Sequence, residues 1–265
     1  MGIIRIAMWS GPRNLSTALM RSFGNRRDTQ VVDEPFYAHY LQTTGLEHPG
    51  RDEVLAAHEC DWRKVAAALH APLPAATLVH YQKHMAHHLL PDMGRDWLSG
   101  LRHAFLLRDP ADMLRSLGRK LPTLRLEDTG LPQQLELFER MRRETGATPP
   151  VIDADDLLAD PEGVLRALCR ALGIGFQSRM LHWPPGRRDT DGVWAKYWYE
   201  SVEASSGFER WPRSVEPLPS RLADLEREAR PIHALMHAVR LRPDRRQPSS
   251  ATNLDEDTGN AATVQ

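Results

Sequence analysis

Apolar positions along the chain fall into short continuous runs separated by longer stretches of helical spacing. The first run, Ile3 to Trp9, is apolar and rich in isoleucine, and it reads as a strand buried on both faces. The breaker Ser10-Gly11-Pro12 follows, and then a helical pattern places Leu15, Ala18, Leu19, Ser22 and Phe23 on one side. Thr29 to Val32 predicts a second strand, Ala75 to Tyr81 a third, His103 to Leu107 a fourth and Val151-Ile152 a short fifth. Helices are predicted in the second half of the polar stretch 45–71, over Asp112 to Lys120 and Gln133 to Glu144, and from Pro161 to near Gly173. A last helix runs from about Ser220 to Val239. Strands that alternate with helices in this way predict an α/β fold with a central parallel sheet and right-handed crossovers.

Two stretches lack such a pattern. Gln177 to Pro219 is rich in Trp, Pro, Arg and Gly without periodicity, and irregular chain of that length is more often functional than idle. Beyond Pro243 bulky apolar residues are scarce, which predicts one folded domain over 1–242 and a disordered tail over 243–265.

Composition narrows the class. With 265 residues, 41% hydrophobic and a net charge of −1, the chain can bury a sizeable core and is not built to coat nucleic acid. No run approaches the length of a membrane span, and Met1 to Ile6 lacks both a secretory apolar core and a myristoylation signal. The two cysteines, Cys60 and Cys169, offer neither ligand spacing nor a disulfide framework, so a cytoplasmic location is expected.

The candidate chemistry begins at Ser10-Gly11-Pro12-Arg13-Asn14-Leu15-Ser16-Thr17, between a strand and a helix. Such a turn aims backbone N–H groups and the positive end of the helix at one spot. Arg13 adds a forked cation, and Ser16 and Thr17 add hydroxyls. The GxxxxGK[ST] pattern of Mg-dependent NTPases is absent, because Leu15 and Ser16 stand where Gly and Lys are required. A second anion site is expected where the fourth strand delivers Arg108 at its carboxyl end, with Ser116 eight residues on.

These segments resemble the family of sulfotransferases that use 3′-phosphoadenosine-5′-phosphosulfate (PAPS). Pro12-Arg13-Asn14-Leu15-Ser16-Thr17 is similar to the family's 5′-phosphosulfate loop, with arginine where many members carry lysine and Leu15 at a position often held by glycine. Arg108 and Ser116 match its 3′-phosphate motif. Val151 to Glu162 looks like its strand followed by "EDLL.DPE", leading into a helix and Leu172-Gly173. The resemblance covers roughly residues 3 to 175 and is closest to the carbohydrate and bacterial branch.

It implies a three-layer sandwich with a P-loop NTPase-like fold, PAPS as co-substrate with PAP as product, and no metal. It also implies a small-molecule or carbohydrate acceptor, no nucleic-acid partner, and an open question of homo-oligomerisation. Arg13 is expected at the leaving phosphate, Ser16 and Thr17 at terminal oxygens, and Arg108 and Ser116 at the 3′-phosphate.

For the proton acceptor, Glu34 in Asp33-Glu34-Pro35-Phe36 is preferred over His84, and Lys83 is a candidate contact to the leaving oxygen. Arg187 and Arg188 are expected to close over the nucleotide, with Trp194 or Trp198 on adenine or in the acceptor pocket. His84, His87 and His88, with Asp92 as the one close carboxylate, are read as a solvated or packing face rather than a metal site. A P-loop kinase and a nucleotide-binding protein without catalysis are the alternatives.

Overall fold

A computed structural model of the chain describes residues 2–121, 123–210 and 217–244. Five parallel strands form one sheet in the order β2-β3-β1-β4-β5, with β1 at Ile4–Ser10, β2 at Thr29–Asp33, β3 at Val79–Met85, β4 at Arg102–Leu107 and β5 at Val151–Asp153. The central strand shows why the pattern at the amino terminus is continuous rather than alternating. Ile6 and Met8 face one apolar cluster and Ala7 and Trp9 the other, and all four are fully buried.

The first face is covered by α1 (Ser16–Gly24) and, after α2 (Tyr37–Thr44), α3 (Arg51–Ala57), α4 (Trp62–Leu69), α5 (Pro110–Leu117), α6 (Leu131–Thr145) and α7 (Ala154–Ala159), by α8 (Pro161–Ala171). The opposite face is covered by α4, α5, α6 and a long terminal helix. That helix is α11 (Ser220–His237), which follows the short turns α9 (Ala195–Trp198) and α10 (Glu200–Glu203). The result is the three-layer α/β sandwich expected. A third apolar cluster joins α2 and α3 to Trp194 and Tyr199 beyond the carboxyl ends of β2 and β3.

Local chemistry explains several boundaries. Asp109 caps α5 by accepting from the N–H of Ala111 at 2.9 Å, with Pro110 at the first helical position. Asp153 and Asp160 cap α7 and α8 in the same way, the latter again followed by proline. Gly11 is obligatory for a different reason: a Cβ there would lie 2.3 Å from the carbonyl oxygen of Thr129. The turn after β1 is therefore pressed against the segment 126–129.

One strand differs from expectation. β3 begins four residues later than predicted, so Lys83 and His84 lie within it instead of after it. Apolar patterning stops at Tyr81, yet the strand continues through Gln82, Lys83 and His84, all at most 1% exposed. Partners make that burial tolerable: Gln82 donates to the carbonyl of Leu69 at 3.3 Å, and His84 Nε2 sits 3.1 Å from Gln82 Oε1. His84 and His88 are consequently not one helical turn apart, because His84 is in a strand and His87 and His88 are in a 3-10 turn. Helices α2 and α7 lie over residues for which no helix was predicted, and α3 falls in the first half of 45–71, ahead of the helix expected in its second half. Most of the tail 243–265 lies outside the described residues.

Candidate active site

At the carboxyl edge of the sheet, where ligands of open parallel sheets bind, the structure holds a cavity of about 680 Å³. Its walls come from the turn after β1, the ends of β2, β3 and β4, and segments near residues 37–48, 121–128 and 198–209. Pro12, Arg13, Asn14, Leu15, Ser16 and Thr17 all line it. Arg13 and Leu15 adopt the left-handed conformation, with φ of 62° and 64°. Alternation of left-handed and ordinary residues turns successive N–H groups inward, and here the concavity runs directly into the start of α1.

Arg108 and Ser116 line the same cavity. The arginines expected at opposite ends of a ligand in fact adjoin: Arg108 Nη1 donates to the carbonyl of Arg13 at 2.7 Å. Arg13 Nε in turn donates to Ser116 Oγ at 3.0 Å, and its Nη1 donates to the carbonyl of Trp198 at 3.3 Å. Burial pushes the Arg13 guanidinium below its ordinary pKa, and the neighbouring Arg108 pushes the same way. Burial lowers Arg108 as well, with Asp112, Asp155 and Asp109 opposing. Two desolvated like charges at one cavity favour an anion between them.

The other cluster is built on β2 and β3. Lys83 and Asp33 pair across the ladder, and Lys83 Nζ donates to Asp33 Oδ1 at 2.8 Å, to Glu34 Oε1 at 2.6 Å and to Tyr199 Oη at 2.6 Å. All three ammonium hydrogens are thereby used. Tyr199 lies within 2.9 Å and 2.8 Å of the two Asp33 oxygens and accepts from Trp194 Nε1 at 3.1 Å. Burial pushes the Tyr199 phenol up, reinforced by Asp33 and Glu34, so it stays protonated. Burial also works against the Lys83 charge, but the two carboxylates outweigh it and its pKa rises.

Glu34 is the cavity-facing member of this network. Its φ of 40° turns the side chain off the end of β2 towards Lys83. Burial raises its pKa and Asp33 adds to the rise, while Lys83 opposes. Oε1 is held by Lys83 and Tyr199; Oε2 has no hydrogen-bond partner among the described residues. The arrangement is a fixed carboxylate with one oxygen anchored, the other available, and an elevated proton affinity.

His84 is set apart from this cluster. Alternation along β3 sends Lys83 to one face and His84 to the other, where it stacks on Trp9 with ring centroids 4.4 Å apart. It is 1% exposed, does not line the cavity, and burial lowers its pKa to about 3. Arg187 and Arg188 do not line the cavity either. Arg187 is exposed, and Arg188 turns back to donate to the carbonyl of Pro184 at 2.8 Å.

Of the two tryptophans considered, Trp198 lines the cavity and Trp194 is buried behind Tyr199. Asp33 and Tyr199 were not singled out from sequence, although Asp33 directly precedes Glu34 and Tyr199 closes the aromatic run 194–199. Among the described residues, no group of three or more His, Cys, Asp or Glu is disposed to hold a metal ion.

With this fold and site, the chain belongs to the sulfotransferase domain family, which it matches over residues 4–240. It is similar to branched-chain-amino-acid aminotransferase-like proteins 1 and 2 of Arabidopsis thaliana, at 39% and 36% identity over 88% and 87% of this chain. The chain spans 41% of the length of each of those proteins. Among solved structures it resembles a sulfotransferase from Alicyclobacillus acidocaldarius, with a TM-score of 0.50, 14% identity, and coverage of 91% of this chain and 97% of that one. That likeness concerns the fold alone. No helix among the described residues is long and apolar enough to cross a membrane.

Proposed function

We propose that the protein transfers a sulfuryl group from PAPS to an acceptor hydroxyl, with Glu34 as the proton acceptor. The observation that carries this reading is the convergence of Arg13 and Arg108 on one cavity that Glu34 also lines. The residues fit such a nucleotide: buried, mutually repelling guanidinium groups and a left-handed N–H turn call for a multiply charged anion at that end. When bound, PAPS supplies a sulfuryl group already attached to a good leaving group, a phosphate oxygen.

The protein then has three tasks. Arg13 exchanges its internal partners, Ser116 Oγ and the Trp198 carbonyl, for the 5′-phosphosulfate, and so neutralises charge on the leaving oxygen. Ser16 and Thr17 hold terminal oxygens, while Arg108 and the released Ser116 take the 3′-phosphate. Glu34 Oε2 receives the acceptor's proton as the new O–S bond forms and the S–O bond to phosphate breaks. Lys83, with all its hydrogens engaged, acts by fixing Glu34 in place.

Thermal unfolding in the presence of PAP, PAPS, ATP and 5′-AMP tests the nucleotide assignment. PAP and PAPS at 100 times their dissociation constants add about 2.7 kcal/mol of stability. Equal or greater stabilisation by ATP overturns it. Transfer of labelled sulfate to an acceptor then separates catalysis from binding alone.

A further inference from the structure

Beyond Glu34 the cavity is walled by Tyr37, Tyr40, His48, His87 and His88, none of which has a part in the steps above. They form one packed unit. The His88 ring lies 4.7 Å from both Tyr37, at 5°, and Tyr40, at 30°, so it is sandwiched between them. His87 meets Tyr40 edge-on at 5.2 Å, and Tyr37 Oη is 2.9 Å from His48 Nδ1. Such mutual packing fixes ring orientation before any ligand arrives.

His87 and His88 are 8% and 3% exposed, and the Nδ1 atom of each is sealed from solvent without a hydrogen-bond partner. Among the described residues, no protein group hydrogen-bonds the Nε2 atom of either ring, nor that of His48, whose Nδ1 faces Tyr37 Oη. Nε2 is therefore the polar edge each presents to the cavity, and an unanswered polar edge in a buried wall is a site for a ligand group. Burial holds His87 down to about 3 and His88 well down, which keeps both rings neutral.

The buried charges at this end are answered internally. Glu34 and Asp33 share Lys83, and Asp128 faces Arg125 at 3.4 Å, while Glu47 is exposed and shares Arg51, at 3.8 Å, with Asp52 at 3.2 Å. Asp33 is held away from the cavity behind Lys83 and Tyr199. Lys83 has no hydrogen left for an anionic acceptor, and neither buried carboxylate is left without a cation for an ammonium. Arg119 also lines the cavity, on the segment after α5, with no ion pair among the described residues, and the comparison with an anionic sugar reads whether an acceptor reaches it. Hydroxyl groups, which both donate and accept, satisfy a neutral imidazole edge in either tautomer.

We infer that the acceptor is an uncharged polyhydroxyl compound of the sugar or polyol class, gripped through its non-reacting hydroxyls by the Nε2 edges of His48, His87 and His88. This rests on the sulfotransferase reading of the same cavity. The test compares methyl glucoside and inositol with methyl glucuronide and glucosamine, by ligand-detected NMR binding and by labelled-sulfate transfer.

The uncharged compounds are expected to bind and to be sulfated with kcat/KM about tenfold or more above their charged counterparts. His48→Gln and His87→Phe are each expected to raise the acceptor KM by about tenfold, with PAP affinity measured on the same samples unchanged. Equal or better use of the charged compounds, binding of none of the uncharged ones, or an unchanged KM in both variants overturns the inference. Absence of PAP binding by the unaltered protein sinks the nucleotide reading instead, and the NMR comparison of glucoside with glucuronide still decides the acceptor class.

Discussion

Replacing Glu34 with Gln isolates the proton acceptor from everything else the network does. Gln keeps the shape and the oxygen that Lys83 bonds at 2.6 Å, and Lys83 retains its contacts to Asp33 at 2.8 Å and Tyr199 at 2.6 Å. The ammonium thus stays answered, and the stability change is about 1 kcal/mol or less, a shift of roughly 2–4 °C in Tm. Nothing in the change touches Arg13, Arg108 or the turn between them, so PAP affinity stays within about threefold.

Turnover is another matter. An amide cannot take up the acceptor's proton, and general-base catalysis contributes about 10²–10⁴-fold, equivalent to roughly 3–5 kcal/mol of barrier. The assay is labelled-sulfate transfer at saturating PAPS, with PAP binding followed by calorimetry on the same preparation. Because burial raises the Glu34 pKa, kcat/KM of the unaltered enzyme is also expected to fall as pH drops through that raised value, and the variant should lack this limb. Turnover of E34Q within tenfold of the parent refutes the assignment.

Three further outcomes follow from the same geometry. Arg108→Gln keeps a donor for the Arg13 carbonyl but loses the charge at the cavity, so PAP affinity falls by about 10–100-fold while 5′-AMP affinity changes little, as calorimetry would show. Leu15 has φ 64°, so Leu15→Gly should be more stable than Leu15→Ala by about 1 kcal/mol in urea unfolding, the reverse of the order inside a helix; an alanine variant at least as stable as the glycine one contradicts the conformation.

The third concerns acid. Burial, the largest cause in each case, holds His80, His103 and His233 down to about 4 and His84 and His87 down to about 3. The unfolded chain therefore takes up protons below its ordinary histidine pKa of about 6.5 that the native state refuses, and stability is full above that pH and lost as pH falls towards 4. Each such group adds about 1.4 kcal/mol per pH unit to the slope of unfolding free energy in that window. A flat profile between pH 6.5 and 4.5 rules this out.

Much of this was legible in the residues. Ile3 to Trp9 and His103 to Leu107 show themselves as strands because both faces are covered, and the one charged residue among them, Arg5, sits near the start of its strand and donates to the carbonyls of Leu69, His70 and Ala71. The turn at residues 10–17 and the Arg108–Ser116 spacing mark where those strands stop. What escaped is where buried polar groups substitute for apolar ones. β3 runs on through Gln82, Lys83 and His84 because Gln82 and Lys83 have partners delivered from elsewhere and His84 bonds Gln82 and stacks on Trp9, and a hydrophobicity pattern cannot see partners 49 or 116 residues away. Tyr199 went unnoticed for the same reason. Arg187 and Arg188 were named from a likeness to the family's late basic loop; Arg187 is exposed, and Arg188 folds onto the Pro184 carbonyl.

The register of β3 decides which chemistry the cavity contains. Side chains alternate along a strand, so a slip by one residue would deliver His84 to the Asp33–Glu34 end and bury Lys83 among Trp9, Phe36 and Trp97. Both halves of the observed arrangement oppose that slip. An ammonium placed in the aromatic pocket would have no anion within reach, while His84 stacks there as a neutral ring. A histidine between Asp33 and Glu34 would offer at most two donors in place of the three that Lys83 supplies to the carboxylates and Tyr199. The buried lysine costs desolvation wherever it goes, so its ion pairs with Asp33 and Glu34 act as the register lock as much as a source of stability. The same contact that aligns the edge of the sheet therefore aims Glu34 Oε2 into the cavity, and position along the strand and position of the proposed base are set by one interaction.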